Sequence, residues 1–175
     1  HVRFTVGKLN DIIPTFPYPY VLKPLKGASK KGVNFVSGIK SCITVPDDLK
    51  DGLFMAEEYI SGQEYSIESI SFNDRHDIIQ ITEKVTTGAP HFVELEHHQP
   101  AHLSPSIEKK IRNIIPPILS SVNFSNGASH IEIKVNDQGD VYLIEVNPRG
   151  GGDYISNDLV SLSTDYDYLK QMILV

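Results

Sequence analysis

The sequence predicts an α+β fold, with a few helices set apart from several strands rather than wound alternately with them. Three observations predict it. Strand-like runs dominate from Tyr20 to Lys84. One long helical pattern stands by itself after Ser104. Finally, His130 to Arg149 alternates apolar and polar residues on both sides of Asn136-Asp137-Gln138-Gly139-Asp140, as a hairpin of two half-buried strands does.

In chain order, residues 5–13 suit a short helix ended by Pro14 and the proline-rich PTFPYPY. Tyr20 to Lys23 suits a strand stopped by Pro24, and Val33 to Val36 a return strand after the loop LKGASKKG. Residues 37–51 give no clear period, with a turn or short helix at Pro46-Asp47-Asp48. Phe54 to Ile60, Tyr65 to Phe72 and Ile78 to Lys84 are strand candidates, the first two separated by a Ser61-Gly62 turn. Ser104 is a candidate N-cap with Pro105 in the first turn. Ile107, Ile111, Ile114, Ile115, Ile118 and Leu119 continue at helical spacing, and Pro116-Pro117 is expected to kink or stop that helix. After the hairpin come a glycine turn at 150–152 and a last helical stretch from about Asp165.

Length and composition bound the function. A chain of 175 residues that is 40% hydrophobic suits one domain or two small lobes with a core. A net charge of −6 argues against a broad nucleic-acid footprint, although Lys23, Lys26, Lys30 and Lys31 cluster locally. The single Cys42 gives no disulfide framework. No apolar run reaches membrane-spanning length and no secretory signal opens the chain, so the expected compartment is the cytoplasm. The chain starts at His1 and ends on QMILV, and both ends are expected to be cut from a longer protein.

The hairpin carries the sharpest chemistry. If Val141 pairs with Asn136, Glu132 lies opposite Glu145 and His130 opposite Asn147. Like charges facing each other across a ladder destabilise it unless one is protonated or a cation sits between them. Magnesium is bound by one or two carboxylates together with substrate phosphates, so the hairpin is a candidate metal–phosphate platform; the plainer alternative is two solvated acids. The loop GASKKG has the two glycines of a Walker A motif, but Val33 and Asn34 stand where Lys and Ser/Thr are needed. It remains either an anion-binding nest flanked by lysines or an ordinary hairpin loop. In MAEEYISGQEYSIE, backbone groups after an acid pair suit a flat base and a carboxylate suits a ribose diol; surface acids are the alternative.

Taken in series, YPYVLKPLKGASKKGV, MAEEYISGQEYSIE, ITEKVTTG, HFVELEHHQPAHLS, GASHIEIK and VYLIEVNPRGGGD resemble the ATP-grasp superfamily, in particular its carboxylate–amine ligases, which include the L-amino acid α-ligases. The resemblance implies two lobes with antiparallel sheets gripping nucleotide between them, a small lobe near residues 15–60 and a metal and substrate lobe near 61–175. It also implies an N-terminal α/β domain before this region and more chain after it. Lys23 resembles the strand lysine on the nucleotide phosphates, and Gly27 to Gly32 the flexible loop over them, with Ser29 and Lys30 nearest. Glu57 resembles the acid near the adenine amino group, Glu58 and Ile60 the backbone that reads the base, and Glu64 the ribose acid. Glu132, Glu145 and Asn147 resemble the magnesium ligands, for which manganese can substitute, and Glu94 an additional acidic ligand. His97 resembles a residue near the amino-acid substrate, and Arg149 the arginine on the acyl phosphate.

The implied reaction is ATP-dependent amide or peptide bond formation between a small-molecule carboxylate and an amine, through an acyl phosphate; the full-length protein could be oligomeric. Three alternatives stand beside it. A degenerate module would bind nucleotide without catalysis, and a carboxylase or carbamoyl-phosphate-type enzyme would use another acceptor. His97, His98 and His102 with Glu94 and Glu96 could form a zinc cluster, but Pro100 opposes the helix that spacing would need. Lys84 is divided between phosphate contact and a solvated strand end, His130 is expected as a packed or supporting residue, and Asp153 and Tyr154 are weak candidates for the substrate end.

Overall fold

The computed structural model describes residues 2–13, 15–27 and 30–175. The chain forms two compact units, one of His1–Ile60 with Thr87–Val93, the other of Ser61–Thr86 with Glu94–Val175.

The first unit is built on a four-stranded antiparallel sheet. Its strands are β1 (Phe4–Gly7), β2 (Tyr20–Pro24), β3 (Asn34–Val36) and β4 (Phe54–Glu58), in spatial order β1-β4-β2-β3. Here the opening helix shrinks to α1 (Leu9–Ile12), because Phe4 to Gly7 pairs with Phe54 to Glu57. That ladder, with the β-branched Thr5 and Val6, overrides a weak helical period. Ile12, Phe16, Tyr20, Leu22, Val36, Phe54 and Ala56 form the core. Between β3 and β4, Asp47–Leu49 makes one 3₁₀ turn.

The second unit carries a five-stranded antiparallel sheet. Its strands β5 (Gln63–Phe72), β6 (Arg75–Thr86), β7 (Glu94–His98), β8 (Gly127–Val135) and β9 (Val141–Asn147) lie in the order β7-β6-β5-β8-β9. Asn73 and Asp74, both at positive φ, make the two-residue turn that favours a long β5–β6 hairpin. At the start of β5, Gly62 has φ +144° and an added Cβ would fall 2.3 Å from the Val135 carbonyl oxygen, so only glycine fits. The strand β7 has no apolar alternation to announce it; it is an edge held by β6 alone.

One face of this sheet is apolar. Tyr65, Ile67, Ile81, Ile131 and Ile133 meet Ile111, Ile115 and Leu119 of α2 (Pro105–Ser121), which is capped by Ser104 as expected. The two prolines do not stop α2, so of the expected kink or stop the stop is excluded. Proline at 116 and 117 frees the carbonyls of Arg112 and Asn113, and both those residues are exposed, where loss of the helical bond costs least. The C-terminal region is helical earlier than expected: a π turn (Ile155–Leu159) runs into α3 (Val160–Thr164), and α4 spans Tyr168–Leu174. Asp165, at φ +56°, separates the last two, and Ile155, Val160 and Tyr168 pack on Ile70 and Ala128.

The β8–β9 hairpin places Glu132 opposite Glu145 and His130 opposite Asn147, the pairing the sequence predicts. The route differs from the one assumed. Asn136 leaves the ladder, its Oδ1 accepting the N–H groups of Gln138 and Asp140 as an Asx turn. Val135 therefore pairs with Val141. A bulge that leaves Ile144 unpaired then restores the register by Glu132.

A polar sheet face as candidate active site

Residues directly opposite in an antiparallel ladder share a face, so the pairings of the second unit define rows across its polar side. His97, Lys84, Glu64 and Lys134 form one row. Thr82, Ser66, Glu132 and Glu145 form the next, and Gln80, Glu68, His130 and Asn147 the third. Strand alternation thus turns Tyr65, Ile67, Ile81, Ile131 and Ile133 towards α2 and gathers Glu64, Glu68, Lys84, His130, Glu132, Lys134 and Glu145 on the other side.

Contacts along these rows are tight. Lys84, with its side chain only 3% exposed, lies 3.2 Å from Glu94 and 3.1 Å from Glu132. Glu94 also meets His97 Nε2 at 3.2 Å, and Lys134 meets Glu64 at 3.1 Å. His130 bridges two acids, Nδ1 to Glu68 at 2.5 Å and Nε2 to Glu132 at 3.3 Å. Burial disfavours the charged imidazole, but hydrogen bonds to Glu132 and Glu68, and their charges, outweigh it and raise its pKa to about 9. Burial likewise opposes ionisation of Glu132, yet the His130 hydrogen bond and the Lys84 ammonium hold its pKa down at about 2. Lys84 is raised despite burial by Glu132 and Glu94. The face is therefore charged at neutral pH, with cations already set between its acids.

The donor chemistry of three hairpin residues suits a divalent ion. Lys84 and His130 both hold Oε1 of Glu132, leaving Oε2 without a donor among the described residues. Glu145, opposite it, is exposed and has no ion pair among the described residues. The Asn147 side-chain nitrogen is buried with no hydrogen-bond partner; an amide turned over presents oxygen there instead. Two carboxylates and an unsatisfied amide form a hard, oxygen-rich donor set.

Glu94, His97 and Asp153 present ligand atoms within 4.8 Å of one another, so the weakly signalled Asp153 joins two stronger candidates. Arg149 is exposed, its guanidinium donating to the Gly150 carbonyl. His98 and His102 turn to separate acids, Glu96 at 2.7 Å and Glu83 at 3.3 Å, and His98 lies on a strand. Glu68 escaped sequence reasoning. Its one signal is an acid in β5 among serines and isoleucines.

In the first unit, Lys23 and Glu57 are ion-paired at 2.7 Å, so two residues expected at opposite ends of a nucleotide neutralise each other. Arg3 hydrogen-bonds to Glu58 and lowers its pKa. Lys30 has φ +60° and donates to the Phe92 carbonyl at 2.6 Å. Gly27 sits against Pro24, Ile60 is half-buried, and Ser29 lies outside the described residues.

Comparison with known proteins agrees with this architecture. The ATP-grasp domain matches residues 16–158. A D-alanine–D-alanine ligase of Petrotoga mobilis is 28% identical over 149 residues, covering 80% of this chain and 49% of the relative. Human carnosine synthase 1 is 25% identical over 162 residues, covering 83% of this chain and 20% of the relative. Among solved structures, an L-amino acid ligase from Bacillus licheniformis superposes with a TM-score of 0.81 at 26% identity, over 97% of this chain and 41% of that one. The chain thus spans less than half the length of each of these relatives. Two antiparallel sheets with few helices, and a match over most of the chain, identify this protein as a member of the ATP-grasp family.

Proposed function

We propose that the protein is an ATP- and magnesium-dependent carboxylate–amine ligase that forms an amide or peptide bond through an acyl phosphate, with an amino acid supplying the carboxylate. The observation that carries this reading is Glu132 opposite Glu145 with the unsatisfied Asn147 amide one row away. The relatives named as D-alanine–D-alanine, carnosine and L-amino acid ligases support the substrate class.

On this reading, Lys23, Gly27, Ser29 and Lys30 serve the phosphates, Glu57, Glu58 and Ile60 the base, and Glu64 the ribose. Opening the Lys23–Glu57 pair would free one charge for phosphate and the other for the adenine amino group. Glu132, Glu145 and Asn147 hold magnesium, with Glu94 as a further ligand. A magnesium ion held there would supply positive charge to offset that of the nucleotide phosphates. A carboxylate is a poor electrophile, so phosphorylation must precede attack by the amine, and positioning dominates such transfers. Lys84 adds a fixed positive charge beside Glu132 and Glu94. The planar Arg149 fork suits the acyl phosphate, and His97 beside Glu94 suits the amino acid.

Calorimetric titration of ATP with and without magnesium tests this on wild type and Glu145→Gln. Binding is expected to depend on the metal, and the substitution to weaken it by about tenfold or more, on the order of one lost charge-assisted contact. Because Glu145 is exposed and has no ion pair among the described residues, the fold should survive; an unchanged binding curve would remove the assigned ligands. ADP release by the full-length protein across pairs of amino acids then tests the reaction, and silence with all pairs would favour a nucleotide-binding module.

A further inference from the structure

Glu68 is fully buried, its side chain 0% exposed. A buried carboxylate is tolerated only where its oxygens are satisfied, and four donors converge here. They are His130 Nδ1 at 2.5 Å, the Gly151 N–H at 3.0 Å, Ser156 Oγ at 3.3 Å and, shared with the nearer Ser69 carbonyl at 3.1 Å, Tyr168 Oη at 3.4 Å. The first leads to the metal-site candidate, since the other nitrogen of His130 reaches Glu132 Oε1. The second leads to the glycine turn two residues after Arg149. That turn rests directly on the pair: a Cβ added at Gly151 would lie 2.7 Å from Glu68 Oε1 and 2.8 Å from His130 Nδ1.

We infer that Glu68 and His130 are positioning residues that aim the Glu132 carboxylate and anchor the Arg149 turn through one shared buried contact. Lys84 and His130 together fix Oε1 of Glu132, and Glu68 fixes the ring plane of His130, so the free oxygen has one orientation. Such outer contacts orient ligands and matter nearly as much as the ligands themselves. Because Gly151 is bound to the same carboxylate, the turn and the metal-ligand candidate share one support. This inference rests on the ligase reading only for the identity of the ion and the nucleotide.

The test uses the full-length protein, manganese as a paramagnetic probe and a non-hydrolysable ATP analogue. Two variants separate positioning from mere structure. Glu68→Gln keeps shape but loses the charge; His130→Asn keeps an amide towards Glu68 but is too short to reach Glu132. Three quantities are read: manganese affinity with the analogue by electron paramagnetic resonance, analogue affinity in chelator without metal, and melting temperature. Both variants are expected to lose manganese affinity by about 10- to 100-fold while metal-free analogue affinity holds. Wild-type manganese affinity in both variants would overturn the inference, as would an equal loss of metal-free binding, which is the mark of a purely structural role. If Glu68→Gln does not fold, His130→Asn alone decides. Absence of manganese binding in the wild-type protein would instead remove the ligase reading.

Discussion

At the scale of residues, the polar face is held together by opposite charges rather than by exclusion of charge. His130 has its pKa raised from 6.5 to about 9, against burial, by hydrogen bonds and charge from Glu132 and Glu68. Its stabilisation is therefore complete below pH 6.5 and lost as pH rises through 9. Glu132 is lowered from 4.5 to about 2, against burial, by His130 and Lys84, so its stabilisation is complete above pH 4.5 and lost as pH falls through 2. For the metal-free protein, urea midpoints are expected to be highest between pH 4.5 and 6.5 and to fall on both sides. A flat curve from 6.5 to 9 would contradict the imidazolium bridge. In sequence, His130, Glu132 and Asn147 were legible because they alternate with isoleucines and a valine. Glu68 was not, since nothing in a strand's own period says which acid will meet a histidine more than sixty positions away.

Elements that follow local chemistry were readable, and those decided by partners were not. The cap at Ser104, the Asn136 turn and the long strands all rest on nearest-neighbour preferences. The strand at Phe4 to Gly7, the edge strand at Glu94 to His98 and the uninterrupted α2 depend on what lies alongside. The prolines of α2 make this testable. Pro117 is exposed and late in the helix, and Pro117→Ala restores a donor for the Asn113 carbonyl. An interior proline costs about 3 kcal/mol relative to alanine; the looser unfolded chain returns up to about 1 kcal/mol of that. Thermal or urea denaturation should therefore show the variant about 2–3 kcal/mol more stable, and destabilisation would mean that the ring packs against a neighbour.

For the molecule as a whole, two units with separate apolar cores concentrate protection in their central strands. In the larger one β5 is flanked by β6 and β8, and seven consecutive residues from Tyr65 are buried. Hydrogen–deuterium exchange should find the amides of β5 and β8 slowest and those of β1 and β7 fastest, as edge strands open locally; equal rates would contradict the strand order. The family was legible at this scale because six weak segments recur in a fixed order, though no single one would suffice. The bulge at Ile144 bears on how such a chain can change. It uncouples the tip of the β8–β9 hairpin from its base, so residues can be gained or lost beyond it while Glu132 and Glu145 keep facing each other. Tip length becomes free to drift or to be engineered, and a peptide tag inserted at Asp137-Gln138 should leave ion affinity untouched.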